Sequence, residues 1–412
     1  MGRTPSRPIL DLFAGPGGWD EGLRELGYAA LGIDLDPLAC ATAEAAGHKR
    51  LGGDVAALDP ADFSGAWGLL ASPPCQAFSS AGKGLGKIDK PQVIACAHEL
   101  SRGRDTRARR LARCRDARSL LTVEPLRWAL ALRPRWVALE QVPAVAELWT
   151  VFAEILGAHG YRCAVGLLSA ERFGVPQVRK RAFLVGSLDG PVRLPEPTHR
   201  SFDPRRHEPR EDELHLPAPI SMSEALGWGS EPALLRSHNT RSGEVPGGLA
   251  RSLDRPSYTV VSSSSNWRIE RSSAADRPSE RVPRKDRKRL PAACARHERR
   301  RGGVEVGEPP GEGVPAWTRR RPATTLLGDP RVTAPGSWPR CGRRAAIIRG
   351  RPVRVSVEQA AILQGFRHDY PWRGTRSQRF EQVGNAVCPP VATRVLAEAI
   401  RPTLRRGGAD RG

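Results

Sequence analysis

Between residues 8 and 190, short apolar runs alternate with stretches whose apolar residues recur every three or four positions. The short runs predict buried strands, and the helical spacing predicts helices with one apolar face. The predicted strands are Ile9–Phe13, Ala30–Ile33, Trp67–Ala71, Trp136–Leu139 and Ala182–Val185, and the predicted helices are Asp20–Leu26, Leu38–Ala46 and Ser119–Leu132. This alternation predicts an α/β fold built on a doubly wound, mostly parallel sheet.

The pattern changes after about residue 190, where Pro, Ser, Gly and Arg dominate and clean periodicity is lost. Helical spacing returns near residue 353, with predicted helices at Ser356–Leu363 and Pro390–Ile400. A chain of 412 residues is longer than one ordinary domain. We therefore predict a larger domain at 7–190, a smaller irregular region at 191–345 and a return to the first domain at 346–402.

The charge of the chain is uneven, with 65 Lys and Arg against 44 Asp and Glu and a formal net charge of +21. A field of this sign favours a polyanionic partner, and nucleic acid is the obvious candidate. A GC-rich genome, which supplies arginine codons freely, would produce the same excess. The charge alone therefore does not identify the partner.

The eight cysteines include no C-x-x-C pair, which argues against a zinc site and against the disulfide framework of a secreted protein. A reducing cytoplasm fits them best. No apolar run has the length of a membrane-spanning helix, and the first ten residues lack the apolar stretch of a signal peptide. The sequence predicts a cytoplasmic protein with no metal centre and no membrane segment.

A glycine-rich turn, Asp-Leu-Phe-Ala-Gly-Pro-Gly-Gly, occupies residues 11–18 between the first predicted strand and helix. Its glycines let the backbone approach a ligand closely. Asp34 follows the next strand about twenty residues later, where a carboxylate accepts hydrogen bonds from ribose hydroxyls. Asp54 is suited to an adenine amino group, with Val55 against the ring. Together these residues outline an adenosine site.

A second loop, Ser72-Pro73-Pro74-Cys75-Gln76, follows another buried strand. Its prolines stiffen the loop and present Cys75 at the carboxyl end of the strand, where ligands bind in such sheets. A lone cysteine is most often a small buried hydrophobic residue. Because a cysteine between Pro-Pro and Gln on a loop does not fit that interpretation, we predict a thiolate nucleophile.

Six motifs in this order resemble those of bacterial cytosine-5 DNA methyltransferases. They are the glycine turn at 11–18, Pro74-Cys75-Gln76, Glu140-Gln141-Val142, Gln177-Val178-Arg179-Lys180-Arg181, Arg321-Pro322-Ala323-Thr324-Thr325 and Gly384-Asn385-Ala386-Val387. The fifth has a weak echo at Arg255-Pro256-Ser257-Tyr258-Thr259. Two positions depart from the family pattern: Gln141 replaces Asn, and Cys388 stands where Pro is common.

The resemblance implies a mechanism in which a cytosine leaves the duplex stack and Cys75 attacks its carbon 6. Glu140 then holds the ring nitrogen and the exocyclic amine, Arg179 and Arg181 hold the flipped base or a nearby phosphate, and carbon 5 takes the methyl group of S-adenosylmethionine. The residues expected at the cofactor are Phe13, Gly15, Gly17, Gly18, Asp34, Asp54, Val55, Pro74, Asn385 and Val387.

The resemblance also implies that residues 191–345 form a target recognition domain and that the substrate is double-stranded DNA. It implies a monomer and leaves open a cognate restriction endonuclease. Within this region, residues 268–303 contain 13 Lys and Arg against 5 Asp and Glu, which is too polar for a core of their own. They fit a DNA-contacting loop, a disordered segment or a shifted reading frame equally well.

Two alternatives remain at the level of the sequence. A tRNA cytosine-5 methyltransferase of similar fold also carries Pro-Pro-Cys-Gln, although the long variable region favours DNA. A DNA-binding protein with an inactive methyltransferase core is the other, and the intact Cys75, Glu140 and Arg179 argue against it.

Overall fold

The structure is a computed structural model that describes residues 8–78, 84–203, 208–228, 233–237, 250–261, 264, 266–271 and 353–409. Seven strands form the main sheet: β1 (Ile9–Leu12), β2 (Ala30–Asp34), β3 (Lys49–Gly52), β4 (Gly68–Ala71), β5 (Trp136–Gln141), β6 (Arg162–Ser169) and β7 (Lys180–Ser187). Their order across the sheet is β3-β2-β1-β4-β5-β7-β6. All neighbouring pairs are parallel except the two made by β7, which runs antiparallel to β5 and β6. The predicted α/β fold with a mostly parallel sheet is confirmed.

Helices cover both faces of this sheet. Those in the first part of the chain are α1 (Gly18–Glu25), α2 (Pro37–Ala45), α3 (Leu85–Leu100), α4 (Arg107–Leu111), α5 (Glu124–Leu132) and α6 (Ala146–Ala158). One face buries an apolar cluster that includes Trp128, Trp149 and Phe152. The other buries Trp19 and Trp136 against the last helix of the chain. No described helix combines the length and the apolar character that crossing a membrane would require.

The predicted helix at 119–132 divides into a 3-10 turn at Ala117–Val123 and α5, which has Pro125 in its first turn. Proline lacks the backbone N–H and is therefore tolerated only at such a start. The sequence pattern missed α3, α4, α6 and β6. Strand β6 has mostly half-buried residues and no clear alternation of polar and apolar positions, so no local signal marks it.

A second, antiparallel sheet has the order β11-β10-β8-β9 and consists of β8 (Ala233–Ser237), β9 (Ala250–Ser252), β10 (Trp267–Arg271) and β11 (Val353–Arg354). A separate apolar cluster, which includes Trp267, Ile269 and Phe366, lies beneath it. The short helix α7 (Met222–Ala225) contributes the buried Met222. The segment 268–303 is described only as far as Arg271, so the three interpretations of it fall largely outside the described residues.

The chain returns to the main sheet through α8 (Val357–Gln364), α9 (Arg376–Asn385) and α10 (Pro389–Ala409). Helix α8 begins at a capping box between Ser356 and Gln359, which satisfies backbone N–H groups that the helix leaves unpaired. Helix α10 packs beside α1, and its Ala392 fills the space above Gly22, which has no side chain. The two helices predicted for this region are confirmed.

Candidate active site

The candidate site lies at the carboxyl edge of the parallel strands, where β1, β2, β4 and β5 end at the loops singled out in the sequence. These loops surround a cavity of about 390 Å³. All the residues predicted for the site line it except Gly17. They are Phe13, Gly15, Gly18, Asp34, Asp54, Val55, Pro74, Cys75, Glu140, Arg179, Arg181, Asn385 and Val387.

Asp34, at the end of β2, fastens the glycine turn to that strand. One carboxylate oxygen of Asp34 accepts from the Gly15 backbone N–H at 2.7 Å and the other from that of Asp36 at 2.8 Å. Burial raises the pKa of Asp34, and these backbone donors act against the shift. A side chain at Gly18 would collide with the Val387 carbonyl. Gly18 therefore lets the last segment of the chain close directly against the turn.

Gly17 supports the site from behind rather than lining the cavity. It caps α1 with a φ of 111°, a conformation that residues with a side chain rarely adopt. A Cβ at this position would meet the Tyr370 hydroxyl oxygen at 2.6 Å and the His48 ring at 2.8 Å. Phe13 also has a positive φ, 56°, which is strained for a non-glycine residue and typical of functional turns.

Two residues that fix the turn were missed in the sequence. Arg50 forms a buried ion pair with Asp20 at 2.6 Å, and its guanidinium donates to the Gly15 carbonyl at 3.3 Å. Tyr370 donates its hydroxyl hydrogen to the Pro16 carbonyl at 2.5 Å. Both contacts join residues far apart in sequence, so no local motif marks either residue. From the sequence, Arg50 is expected to be an ordinary charged residue on a polar strand.

Cys75, Glu140 and Arg181 form one electrostatic cluster in the cavity. The Arg181 Nε lies 3.1 Å from the Glu140 Oε1, although no well-aligned hydrogen bond reaches this oxygen from the described residues. Burial raises the pKa of the Cys75 thiol, the Arg181 and Arg179 charges lower it, and the Glu140 charge raises it. Burial lowers the pKa of Arg181 to about 10. A thiol, a carboxyl group and the arginine that pairs with it therefore share one pocket.

The sequence matches the family described as "C-5 cytosine-specific DNA methylase" over residues 8–99 and 106–401. The chain belongs to this family. The type II methyltransferase M1.HphI of Haemophilus parahaemolyticus is 22% identical over 96% of this methylase chain and 87% of its own. The type II methyltransferase M.DdeI of Desulfomicrobium norvegicum is 30% identical over 193 residues, which span 43% of this chain and only 40% of M.DdeI.

The fold of the methylase is also similar to a solved one. The crystal structure of the S. pombe Dnmt2 methyltransferase superposes with a TM-score of 0.53 at 14% sequence identity, covering 96% of this chain and 99% of that one. At this identity the likeness concerns the fold alone.

The two departures from the family pattern have clear structural settings. Gln141 donates from Nε2 to the Pro73 carbonyl at 2.5 Å and accepts from the Val142 N–H at 2.6 Å, so it fastens the loop of Cys75 to β5. Trp19 holds the same loop from the other side through the Ser72 hydroxyl at 2.9 Å. Cys388 is buried in an apolar cluster, and burial raises its pKa to about 11. It is therefore a neutral packing residue.

Arg179 points its guanidinium at backbone carbonyls. It donates to Gly384 at 2.9 Å, to Ala386 at 3.2 Å and to Val260 at 3.5 Å. Because Asn385 lies between the first two acceptors, Arg179 fixes the turn that carries Asn385 and Val387 into the cavity.

The segment 255–260 packs against the start of β7. The Val178 N–H donates to the Ser257 carbonyl at 2.8 Å, and the Thr259 hydroxyl donates to the Val178 carbonyl at 2.7 Å. This segment contains the Arg255–Thr259 sequence, the weak echo of the Arg-Pro motif. The copy at 321–325, to which the resemblance assigned the motif, lies outside the described residues, and its assignment stays a prediction.

Proposed function

We propose that this chain transfers a methyl group from S-adenosylmethionine to carbon 5 of a cytosine in double-stranded DNA. The observation that carries the proposal is the convergence of Cys75, Glu140 and Arg181 on the same cavity as the glycine turn. Membership of the cytosine-5 methylase family and the resemblance to type II methyltransferases support the same substrate.

The cavity suits S-adenosylmethionine, which supplies an electrophilic methyl group when bound. The Asp34 and Asp54 carboxylates offer acceptors for ribose hydroxyls and an adenine amine, and Val55 is a buried apolar contact for the ring. The contact between Gly18 and Val387 leaves no room for a side chain between the turn and the final segment. Phe13, Gly15, Pro74 and Asn385 complete the expected binding surface.

Cys75 acts as the nucleophile in this proposal. Its thiolate forms a bond to carbon 6 of the cytosine, and carbon 5 becomes electron-rich and takes the methyl group. A base then removes the carbon-5 proton, the electron pair restores the ring double bond, and the bond between carbon 6 and sulfur breaks. Arg181 favours the thiolate, because its charge lowers a thiol pKa that burial raises.

Glu140 holds the ring nitrogen of the flipped cytosine and stabilises the charge that develops there when sulfur adds. Its Oε1 is buried and receives no well-aligned hydrogen bond from the described residues, so it is suited to such a contact. Arg181 orients this carboxyl group from 3.1 Å. The contacts of Arg179 support a positioning role, in place of the contact with the base that the resemblance implied.

We also propose the domain division at 7–190, 191–345 and 346–402, in which the region 191–345, with three of the four strands of the second sheet, reads the target sequence. We propose a cytoplasmic monomer. The type II relatives support a restriction-modification setting, with a cognate endonuclease as the partner.

The test is methyl transfer from labelled S-adenosylmethionine to bacterial genomic DNA and, in parallel, to tRNA. We expect label on DNA, with none on tRNA and none with Cys75→Ser. Label only on tRNA would assign the chain to RNA. Retained DNA binding without label on either substrate would show an inactive core.

Tyr370→Phe is expected to weaken S-adenosylmethionine binding roughly fivefold to tenfold, because the Pro16 carbonyl in the glycine turn loses its buried donor. Isothermal titration with S-adenosylmethionine measures this effect. Tyr28→Phe is the matched control, because Tyr28 precedes β2 and lies at the opposite edge of the sheet. Equal affinities for the two variants would contradict the role of Tyr370.

Gln141→Leu is expected to lower kcat about tenfold and to leave S-adenosylmethionine affinity unchanged. The buried Pro73 carbonyl loses its donor, and the loop that positions Cys75 loosens. Single-turnover methylation and titration of the cofactor separate the two quantities. A cofactor affinity that falls as far as kcat would show general damage to the cavity instead.

A further inference from the structure

The segment that leads from the end of α3 back to the cavity is strongly basic. Residues 101–118 contain eight arginines against two aspartates. The exposed arginines are Arg102, Arg104, Arg109, Arg113, Arg115 and Arg118. The family match leaves residues 100–105 out, so the family pattern does not account for the first part of this surface.

The segment is fixed to α3 in its middle and at its last residues. The Asp89 carboxylate, which is 2% exposed, accepts from the backbone N–H groups of Arg115 at 2.7 Å and Asp116 at 2.9 Å. It also accepts from the Ser119 hydroxyl at 2.7 Å. Further along α3, Glu99 binds the Arg110 guanidinium at 2.7 Å. Because the buried Asp89 carboxylate accepts these three hydrogen bonds, the segment holds its exposed arginines in fixed positions.

The end of the segment at 115–118 lies beside the cavity. Helix α3 starts close to the loop of Cys75, since the Gly86 N–H donates to the Ala77 carbonyl at 2.9 Å. Leu121, three residues after Arg118, lines the cavity. The pKa of Arg118 is raised first by its hydrogen bond to Asp116, and the Cys75 thiol contributes to the same shift.

Four of the arginines have no acidic partner among the residues the structure describes. They are Arg102, Arg104, Arg113 and Arg115, and we call them the arginine track. The neighbouring Arg107, Arg109, Arg110 and Arg118 all form ion pairs. Exposed guanidinium groups that no carboxylate neutralises are suited to binding phosphate oxygens.

We propose that the arginine track binds the phosphate backbone of the DNA duplex beside the target cytosine, an inference that rests on the proposed function. Asp89 and Leu100 are eleven residues apart on α3, which corresponds to roughly 16 Å of helix. One strand of a duplex presents a phosphate about every 3.4 Å along the axis. The track is therefore long enough to follow about five phosphates of a single strand away from the cavity.

The experiment measures how the affinity for a DNA duplex changes with salt concentration. The test variants are the doubles Arg102→Gln/Arg104→Gln and Arg113→Gln/Arg115→Gln. The control double is Arg162→Gln/Arg193→Gln, which removes the same charge at exposed positions. Arg162 lies at the start of β6, paired with the end of β7 and thus at the edge opposite the cavity.

Each test double is expected to reduce the slope of log affinity against log salt by about 1.8, since each lost phosphate contact removes about 0.9. The control double is expected to keep the wild-type slope. S-Adenosylmethionine binding should be equal in all three variants, which shows that they are folded. A slope change in either test double no larger than in the control would overturn the proposal. So would an effect on tRNA binding that duplex DNA does not share.

Methyl transfer by the unmodified chain, measured in parallel, separates this inference from the proposed function. If the unmodified chain is active but the test doubles have the same salt dependence as the control double, only the DNA-binding role of the arginine track is wrong. If the unmodified chain is inactive but the test doubles still lose affinity for the duplex, the proposed activity is wrong and the arginine track remains a DNA-binding surface. Failure of the unmodified chain to bind a duplex would disprove both.

Discussion

Cys75→Ser is expected to lower the rate of methyl transfer by roughly 10⁴-fold or more, because a hydroxyl at this position is far less ionised and less nucleophilic than a thiol. The substitution is nearly isosteric, so the cavity and its two prolines should keep their shape. Cofactor and DNA affinities are therefore expected to stay within about threefold of the wild type, which is less than 1 kcal/mol. Single-turnover transfer to a methylatable duplex measures the rate.

The covalent step can be seen directly with a duplex that carries 5-fluorocytosine at the target position. Fluorine cannot leave carbon 5 as a proton does, so the bond between Cys75 and carbon 6 should persist and survive denaturing electrophoresis. Cys163→Ser is the matched control, because Cys163 is also half-buried but lies on β6. A covalent adduct formed by Cys75→Ser, or none formed by the control, would contradict the proposed role.

Glu140→Gln is expected to lower kcat roughly 10²-fold to 10³-fold, the usual cost of removing one group that stabilises charge in the transition state. The amide keeps the shape of the carboxyl group and loses its charge and its ability to hold a proton. The substitution also leaves Arg181 without its anionic partner at 3.1 Å. Because the cofactor residues are unchanged, the affinity for S-adenosylmethionine should not fall.

The measurement is kcat on a duplex at saturating DNA and cofactor. Glu147→Gln provides the control, because Glu147 is exposed on α6 and its ion pair with Lys90 contributes little. Thermal unfolding of both variants checks that the buried substitution leaves the fold intact. Activity within a few fold of the control would show that Glu140 does not stabilise the reacting cytosine.

Local patterns in the sequence were sufficient for most of the main sheet. Strands β1, β2, β4 and β5 are short apolar runs, and each ends at a polar or glycine-rich loop. Parallel strands bring their carboxyl ends to one edge of the sheet, so the loops that follow these strands were expected to meet there. The approximate positions of Cys75, Glu140 and Asp34 followed from this rule. The antiparallel direction of β7 did not, since a strand's direction leaves no trace in its hydrophobic pattern.

Motif resemblance had a different limit. It named Arg179 correctly as a residue of the cavity, but the contacts of its guanidinium are with carbonyls at positions 260, 384 and 386. A motif records residue type and order, whereas the partner of an arginine depends on which backbone lies within reach after folding. The same limit applies to the two Arg-Pro segments, which are nearly equivalent as sequence. The contacts of Ser257 and Thr259 with Val178 could be seen only after folding, and the copy at 321–325 lies outside the described residues.

The sequence by itself determined the class of fold, the nucleophile candidate and many of the residues around the cavity, because these depend on local periodicity and on short motifs. The tertiary structure alone showed how Arg50 and Tyr370 support the glycine turn and that the end of the basic segment at 115–118 lies beside the cavity. Tyr370 and Pro16 are 354 residues apart and meet through one hydrogen bond. Such contacts form only when the whole chain has packed, and no stretch of sequence contains both partners.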